Sequence, residues 1–343
     1  MAPSKSGALA VALLALLVSP PALSSASTTL ESCPALEGIV RTAVEAALRQ
    51  DIALAAGLLR IFFHDCFPQG CDASVLLTGS GSEQQLAPNL TLQPRALQLI
   101  EDIRAQVHAA CGPTVSCADI TALATRDAVH ASGGPLYDVP LGRLDSLAPA
   151  PSSAVFQLPQ ASSDASTLIN AFQSRNLSEV DLVALSGGGH TVGRARCSSF
   201  SNRFGESGAF ARRLAANCSA DAGRLQELDV TTPDAFDNKY YVNLQNGEGV
   251  LTSDQVLTGD WRTSWVVDGF AGNQWWFFGQ FGQSMVKLGN LKPGGNAAGE
   301  IRRNCAKPNN APQNNNNMLL HLLQDSAAGV DQGFADEGLA ASA

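Results

Sequence analysis

The stretch RIFFHDCFPQGCDAS, residues 60–74, places an arginine, a histidine, two aspartates and two cysteines within fifteen positions. A packed helix does not need this mixture of groups, so the stretch indicates a functional site. On a helix, Arg60 and His64 share a face because they are four residues apart. A histidine beside a permanent cation suits a reaction that breaks a polar bond and develops negative charge. These two residues alone leave open the alternative of a buried structural histidine with a capping arginine.

The residues that follow His64 offer oxygen atoms at nearly alternate positions around a glycine turn. Hard oxygen ligands on a tight loop are what calcium prefers. The candidates are Asp65, the carbonyl of Pro68, Gly70, Asp72 and Ser74. Because the spacing is not that of an EF-hand, a solvated acidic turn is the alternative interpretation.

A second histidine site lies far downstream, where DLVALSGGGHTVG (181–193) places His190 after a run of glycines. Asp254 could orient a metal-ligating imidazole through the Nδ1–H of the ring. A second set of candidate oxygens follows at Asp229, Thr232 and Asp237, and Thr191 could join it. Taken one at a time, each of these residues is also compatible with a purely structural role.

The bulk composition limits the classes of function. The chain has 343 residues, of which 45% are hydrophobic and 15% charged, enough for one large core or two lobes around a cleft. The formal net charge is −9, and there is no run of lysine and arginine. This balance argues against a nucleic-acid partner.

The N-terminus has the three-part pattern of a secretory signal peptide. Lys5 precedes the apolar run at 8–18, and small residues follow it. The run is too short to span a membrane. We therefore predict a signal peptide at 1–26 with cleavage near Ala26. No later segment is long and apolar enough for a bilayer, so we expect an exported, soluble protein without a membrane partner.

The expected export of the protein determines how its eight cysteines are interpreted. An even number in an oxidising compartment indicates four disulfides, whereas metal thiolates would be considered in the cytosol. The count alone allows about 105 pairings. Spacing favours a local bridge between Cys66 and Cys71, which would hold the opening stretch in a tight loop.

The mature region is predicted to be mostly helical. Apolar residues recur at steps of three and four within 36–48, 96–111, 116–129, 166–177, 179–187 and 275–289. Strand patterns are scarce, apart from a short hairpin expected around 190–200 or 225–232. After Cys305 the chain is rich in Asn and Pro, so 307–343 is predicted to be a flexible extension, either a disordered tail or a removable sorting segment.

Three motifs, LLRIFFHDCFPQGCDAS, DLVALSGGGHTVG and TTPDAFDNKYY, resemble the secreted plant haem peroxidases (class III). The resemblance runs from Cys33 to Cys305, with motifs and cysteines in the family's order. It implies a mainly α, two-lobed helical haem peroxidase fold over 27–306, with one haem b between distal and proximal lobes and two calcium ions. It also implies a monomer secreted to the cell wall, or sent to the vacuole by the C-terminal extension.

The implied reaction reduces hydrogen peroxide to water and oxidises small phenolic donors in successive one-electron steps. In the resemblance, His64 is the distal acid–base residue, Arg60 stabilises charge as the O–O bond breaks, and Asn89 holds the imidazole of His64. His190 is the axial haem ligand, and Asp254 is its carboxylate partner. Pro159 lines the donor site.

The resemblance also assigns ligands and disulfides. The distal calcium ligands are Asp65, Pro68, Gly70, Asp72, Ser74 and Glu83. The proximal calcium ligands are Thr191, Asp229, Thr232, Ala235 and Asp237. The implied disulfides are Cys33–Cys111, Cys66–Cys71, Cys117–Cys305 and Cys197–Cys218.

Three local features of the sequence lead to separate predictions. SGGGHT carries one glycine more than the family pattern, which is either absorbed in a turn or helix bulge or displaces His190. The tryptophans at 275–276 are expected to pack in the core. Of the sequons at Asn89, Asn176 and Asn217, we expect a glycan at Asn176 and none at a buried Asn89.

Two other functions remain as alternatives. A catalytically impaired secreted binding or wall protein would keep the peroxidase fold without turnover, and the extra glycine is its main support. A zinc hydrolase would need His64 and His190 to share one metal. The sequence offers no HExxH pair for such a site.

Overall fold

Helices make up most of the chain in the computed structural model, which describes residues 25–293 and 298–311. The predicted signal peptide lies almost wholly outside the described residues, as does most of the predicted extension at 307–343. The helices of the N-terminal half are α1 (Ser25–Ser32), α2 (Leu36–Gln50), α3 (Leu54–Gln69), α4 (Pro94–Cys111), α5 (Cys117–Ala131) and α6 (Ser152–Val155). Those of the C-terminal half are α7 (Ala165–Gln173), α8 (Glu179–His190), α9 (Ala209–Cys218), α10 (Lys239–Gln245), α11 (Thr252–Gln255), α12 (Ser264–Gly272) and α13 (Gln274–Gly289).

Helix α3 is the central element of the fold. Its sequence is apolar around most of its circumference, as expected for a helix that is buried on all sides. Leu58 and Ile61 pack into one core with α2, α4 and α5. Leu59 and Phe62 pack into a second core with α7, α8, α10, α12 and α13. The two cores therefore meet at the helix that carries Arg60 and His64.

A small two-stranded sheet accompanies the helices. Strands β1 (Arg194–Arg196) and β2 (Leu225–Glu227) are antiparallel, with Ala195 opposite Gln226. We predicted a hairpin near one of these places, and that prediction is wrong: each place supplies one strand, and the two strands pair with each other. The sheet packs with α9 in a third, smaller core.

Four disulfides close the fold, with the pairing that the resemblance implies. They are Cys33–Cys111, Cys66–Cys71, Cys117–Cys305 and Cys197–Cys218. The prediction of a mainly helical chain with four disulfides is confirmed. Each bridge restricts the unfolded chain and typically contributes about 2–4 kcal/mol.

Two helices end at residues other than those predicted. The helix predicted at 166–177 ends at Gln173, and the turn that follows contains Asn176 with φ of 56°. The helix predicted at 179–187 continues to His190. It begins with a capping box, in which Ser178 and Asp181 satisfy each other's backbone N–H groups.

The prediction that Trp275 and Trp276 pack in the core is wrong. Trp275 is 79% exposed and Trp276 is 38% exposed. Helix α13 turns Phe277 and Phe281 inward instead, and both are fully buried. No helix among the described residues is long and apolar enough to cross a membrane.

Candidate active site

A mostly apolar cavity with about 840 Å³ of empty space up to its open mouth brings the two predicted histidines together. Helix α3 contributes Arg60 and His64 to the lining, and α8 contributes His190. Side chains from α7 and α13, including Phe172, Phe281 and Met285, complete the apolar walls. Cofactor sites commonly have such an apolar lining with a few polar groups.

The imidazole of His64 is held in one orientation. Its Nδ1 lies 2.6 Å from Asn89 Oδ1, and Asn89 Nδ2 donates to the carbonyl oxygen of Glu83 at 3.1 Å. Because the amide group of Asn89 donates to Glu83, its oxygen is turned towards His64 and accepts from Nδ1–H. His64 Nε2 therefore carries the lone pair and is the nitrogen that can accept a proton.

Arg60 is fixed beside this imidazole. Its Nη1 donates to the Thr91 carbonyl at 2.8 Å, and its Nη2 donates to the Pro88 carbonyl at 2.9 Å. Its Nε lies 3.4 Å from His64 Nε2 and donates to it. The positive charge is thus positioned at the atom of His64 that can act as a base.

Burial determines the protonation state of both groups. Burial, together with the charge of Arg60, lowers the pKa of His64 to about 3, although the hydrogen bond to Asn89 opposes the shift. Burial lowers the pKa of Arg60 to about 9. At neutral pH the pair therefore consists of a neutral imidazole and a cation, as a general base beside a charge stabiliser requires.

His190 faces the same cavity from the end of α8. Its Nδ1 is 2.8 Å from Asp254 Oδ1, and Asp254 is 1% exposed. The same carboxylate oxygen accepts a hydrogen bond of 2.8 Å from the hydroxyl of Tyr240. Because Nδ1 is engaged by the carboxylate, Nε2 is the nitrogen left to ligate a metal, the arrangement expected of a metal-bound histidine.

The extra glycine is accommodated within α8. The helix continues through Gly187, Gly188 and Gly189 to His190, and the amide of Thr191 still donates to the Gly187 carbonyl at 2.7 Å. A Cβ on Gly187 would meet the Tyr241 hydroxyl at 2.0 Å. A Cβ on Gly188 would meet the Phe281 ring at 2.0 Å, whereas one on Gly189 would meet nothing within 4 Å.

This difference gives a matched pair of variants. Gly188→Ala is expected to lower the free energy of unfolding by about 1–3 kcal/mol, since the added methyl group must displace the buried ring of Phe281. Gly189→Ala is expected to be neutral or stabilising by up to about 1 kcal/mol, because alanine favours a helix. Urea unfolding of both variants checks this. Equal destabilisation by the two substitutions would contradict the packing described for α8.

The predicted distal calcium residues form a buried acidic cluster. Asp65, Asp72, Ser74 and Glu83 are each less than 5% exposed. Three of their oxygens, Asp65 Oδ1, Ser74 Oγ and Glu83 Oε2, have no hydrogen-bond partner. Burial raises the pKa of Asp65 well above its usual value, and the charge of Asp72 raises it further. Unpartnered buried oxygens with mutual repulsion fit a bound cation.

The other two predicted members of this site are backbone positions. Gly70 has φ of 109°, and a Cβ there would meet the backbone of Lys292 at 2.4 Å, so the turn requires glycine. The carbonyl of Pro68 accepts a hydrogen bond of 3.5 Å from Arg175 Nη2. One of its two lone pairs is left for another partner.

The predicted proximal calcium residues also come together, around the hydroxyl of Thr191. This Oγ1 lies 2.9 Å from the Asp237 carbonyl and 3.4 Å from both Asp229 Oδ2 and the Ala235 carbonyl. Thr232 Oγ1 donates to Asp237 Oδ1 at 3.1 Å. Unlike the distal oxygens, these are largely satisfied by one another. Within 25–293 and 298–311 no group of three or more His, Cys, Asp or Glu side chains has the geometry of a metal site.

Pro159 lines the cavity, next to Gln160. Asn89 is 1% exposed and engaged with His64, whereas Asn176 is exposed in the turn after α7. We expect glycopeptide mapping of the protein from a plant secretory host to find sugar on Asn176 and none on Asn89. Sugar on Asn89 would contradict its buried position.

Four residues at or near these sites were not identified from the sequence. Thr91 and Pro88 hold Arg60 through their carbonyl groups, which no side-chain pattern reveals. Tyr240 lies within the motif TTPDAFDNKYY, so the sequence could have indicated that this tyrosine belongs to the site. Arg302 is fully buried and donates to the Ala73 carbonyl beside the distal cluster, and only the fold brings it there.

Sequence comparison with known proteins matches the chain to plant peroxidases. A family described as "Peroxidase" matches residues 40–273. The chain is 50% identical over 292 residues to "Cationic peroxidase SPC4" of Sorghum bicolor, covering 82% of this chain and 80% of that protein. It is 48% identical to "Peroxidase 12" of Arabidopsis thaliana, with 81% of each chain covered. It is 45% identical to "Peroxidase 66" of Zea mays, covering 88% of this chain and 95% of that protein.

Proposed function

Since this chain belongs to the plant peroxidase family, we propose that Arg60, His64 and Asn89 form its peroxide-cleaving site and that His190 holds its haem. The protein is an enzyme that uses hydrogen peroxide, a haem peroxidase. The observation that carries the residue assignment is one cavity lined by two oriented histidines. One imidazole is tied to a carboxylate at Asp254, and the other is tied to an amide at Asn89.

The residues present fit a haem. The cavity is apolar, and the unengaged Nε2 of His190 offers an iron ligand whose donor strength Asp254 increases through Nδ1. A haem bound there supplies the iron at which hydrogen peroxide is reduced and to which donors deliver electrons.

Side chains of the protein transfer the proton and stabilise the developing negative charge. His64 accepts a proton from hydrogen peroxide at Nε2 and returns it to the departing oxygen, so that water leaves. Arg60 stabilises the negative charge on that oxygen as the O–O bond breaks. Asn89 keeps the His64 proton on Nδ1, so Nε2 remains the base.

We propose small phenols as donors, each giving one electron, with Pro159 at the donor site. The assay is peroxide-dependent oxidation of guaiacol by the haem-loaded protein. Turnover supports the proposal. Haem binding without any turnover would favour the catalytically impaired binding or wall protein, which no finding here otherwise favours.

We further propose two bound calcium ions. The unpartnered oxygens of Asp65, Ser74 and Glu83 support the distal site. The convergence of Asp229, Ala235 and Asp237 on Thr191 supports the proximal site. Calcium would add positive charge to that of Arg302, which already lowers the pKa of Asp65 and of Asp72 against the effect of burial.

Secretion of a monomeric domain at 27–306 is also a proposal. Four disulfides support an oxidising compartment, as does the signal pattern at 1–26. Delivery to the cell wall is the main expectation. Sorting to the vacuole through 307–343 remains the second possibility for the same exported chain.

A further inference from the structure

The tryptophans of this protein lie at its surface. The chain has four, and their exposed fractions are 82% for Trp261, 53% for Trp265, 79% for Trp275 and 38% for Trp276. Burying an indole is strongly favourable, so two exposed indoles in contact with each other indicate a function. Trp265 of α12 and Trp276 of α13 stack on each other, with ring centroids 6.2 Å apart and an interplanar angle of 29°. We call these two residues the tryptophan pair.

A continuous series of ring contacts connects the tryptophan pair with His190. The ring of Trp276 is 4.9 Å from Phe270, and Phe270 is 5.2 Å from Tyr241, measured between centroids. Tyr241 is 5.0 Å from Tyr240, and Tyr240 is 6.2 Å from His190. Every step lies within the range of direct aromatic contact. We call Trp276, Phe270, Tyr241 and Tyr240 the ring chain.

The ring chain is tightly fixed at both ends. At the surface, the Trp276 ring lies on Gly269, where a Cβ would meet it at 1.8 Å. Phe270, Tyr240 and Tyr241 are each at most 1% exposed. At the inner end, the Tyr240 hydroxyl donates to the carboxylate of Asp254, which also accepts from His190. The contacts from Phe270 inward therefore belong to the packed core, and Trp276 lies against Gly269 at the surface end.

We propose that the tryptophan pair is a second donor site, which oxidises phenols carried on polymers too large to enter the cavity. This inference rests on the proposed function, because hydrogen peroxide reduced in the cavity supplies the oxidising equivalents. Trp276 gives one electron inward along the ring chain and regains it from a phenol lying on the tryptophan pair. That phenol loses one electron, releases its O–H proton to solvent and leaves as a phenoxyl radical.

Two such events supply the electrons and protons that reduce one molecule of hydrogen peroxide. Two phenols provide two electrons, and the two protons they release to solvent match the two protons consumed when hydrogen peroxide becomes two waters. Tryptophan and tyrosine are the side chains that can lose and regain an electron at this site, and Phe270 provides contact between them. The exposed indoles stand outside the cavity, so they set no limit on the size of the molecule that carries the phenol.

The test compares Trp276→Phe and Trp265→Phe with Trp261→Phe as the matched control. Trp261 is the most exposed of the four and makes no ring contact among the described residues. The donors are free guaiacol and phenol groups coupled to a large dextran, assayed separately so that free phenol does not act as a mediator. Trp276→Phe is expected to lower dextran-phenol oxidation at least about tenfold and guaiacol oxidation less than about twofold. Trp261→Phe is expected to change neither.

A second readout does not depend on turnover of a donor. The haem-loaded protein is treated with hydrogen peroxide alone, frozen within milliseconds and examined by electron paramagnetic resonance and by peptide mapping. We expect a tryptophan radical that Trp276→Phe removes, and oxygenated products at Trp265 and Trp276 but not at the more exposed Trp261. Oxidation that followed exposure, with Trp261 most modified, would overturn the proposal.

Other outcomes are equally decisive. Oxidation of dextran-phenol that is unchanged in Trp265→Phe and Trp276→Phe overturns the second site while guaiacol turnover still supports the proposed function. Binding of dextran-phenol that quenches tryptophan fluorescence without any tryptophan radical would show a docking surface and overturn the electron path. Failure of the native protein to oxidise either donor would refute the proposed function itself.

Discussion

Replacing His64 with leucine is expected to slow the reaction with hydrogen peroxide by about 10²–10⁴-fold, the usual contribution of general acid–base catalysis. Leucine fills a similar volume in a site where His64 is 4% exposed, so the cavity should keep its shape. Haem binding should be retained because His190 and Asp254 are untouched. Stopped-flow absorbance after mixing with peroxide measures the rate directly.

The matched control for this variant is His130→Leu. His130 lies exposed near the end of α5, away from the cavity lining. It should react at the native rate and bind haem normally. A His64→Leu protein that also reacted at the native rate would refute the acid–base assignment, whatever its activity with phenols.

Removing calcium is expected to have the largest effect on stability. A ligand present at a thousand times its dissociation constant stabilises the folded state by about 4 kcal/mol, so a chelator should remove about that amount per site. For a domain of this size the loss corresponds to a melting temperature lower by roughly 10 °C. The reason is the buried cluster of Asp65, Asp72 and Glu83, whose carboxylates repel one another when no cation lies between them.

Chelation should also slow the peroxide reaction, because the distal cluster is connected to the base. The backbone carbonyl of Glu83 accepts from Asn89, and Asn89 accepts from His64. Calorimetry with EGTA, with excess calcium and with excess magnesium measures the first effect. Glu83→Gln should melt lower in calcium and respond less to the chelator. Identical melting curves in EGTA and in calcium would contradict a structural calcium ion.

Much of the site follows from local sequence. The spacing of Arg60 and His64 places both on one helical face, and the structure puts both side chains in one cavity. The motif containing His190 and the later Asp254 are far apart in the chain, yet their residue types already suggested an imidazole oriented by a carboxylate. The structure brings their side chains to 2.8 Å.

Other features could not be predicted because distant contacts decide them. A run of three glycines normally weakens a helix, yet α8 continues through it. Tyr241 and Phe281 pack so closely on Gly187 and Gly188 that a Cβ at either position would clash. Apolar composition suggested that Trp275 and Trp276 were buried, but the helical phase of α13 turns Phe277 and Phe281 inward and leaves the tryptophans outside. The burial of Arg302 depends on Asp145, far away in sequence.

Spectroscopy of the haem-loaded ferric protein distinguishes His190 as an iron ligand from His64 as a base. We predict a high-spin iron with His190 as its one protein ligand, because Asn89 and Arg60 hold His64 as a base. Electron paramagnetic resonance and the absorption spectrum distinguish the possibilities. A low-spin iron bound by both His64 and His190, or a protein that takes up no haem, would contradict these roles of the two histidines.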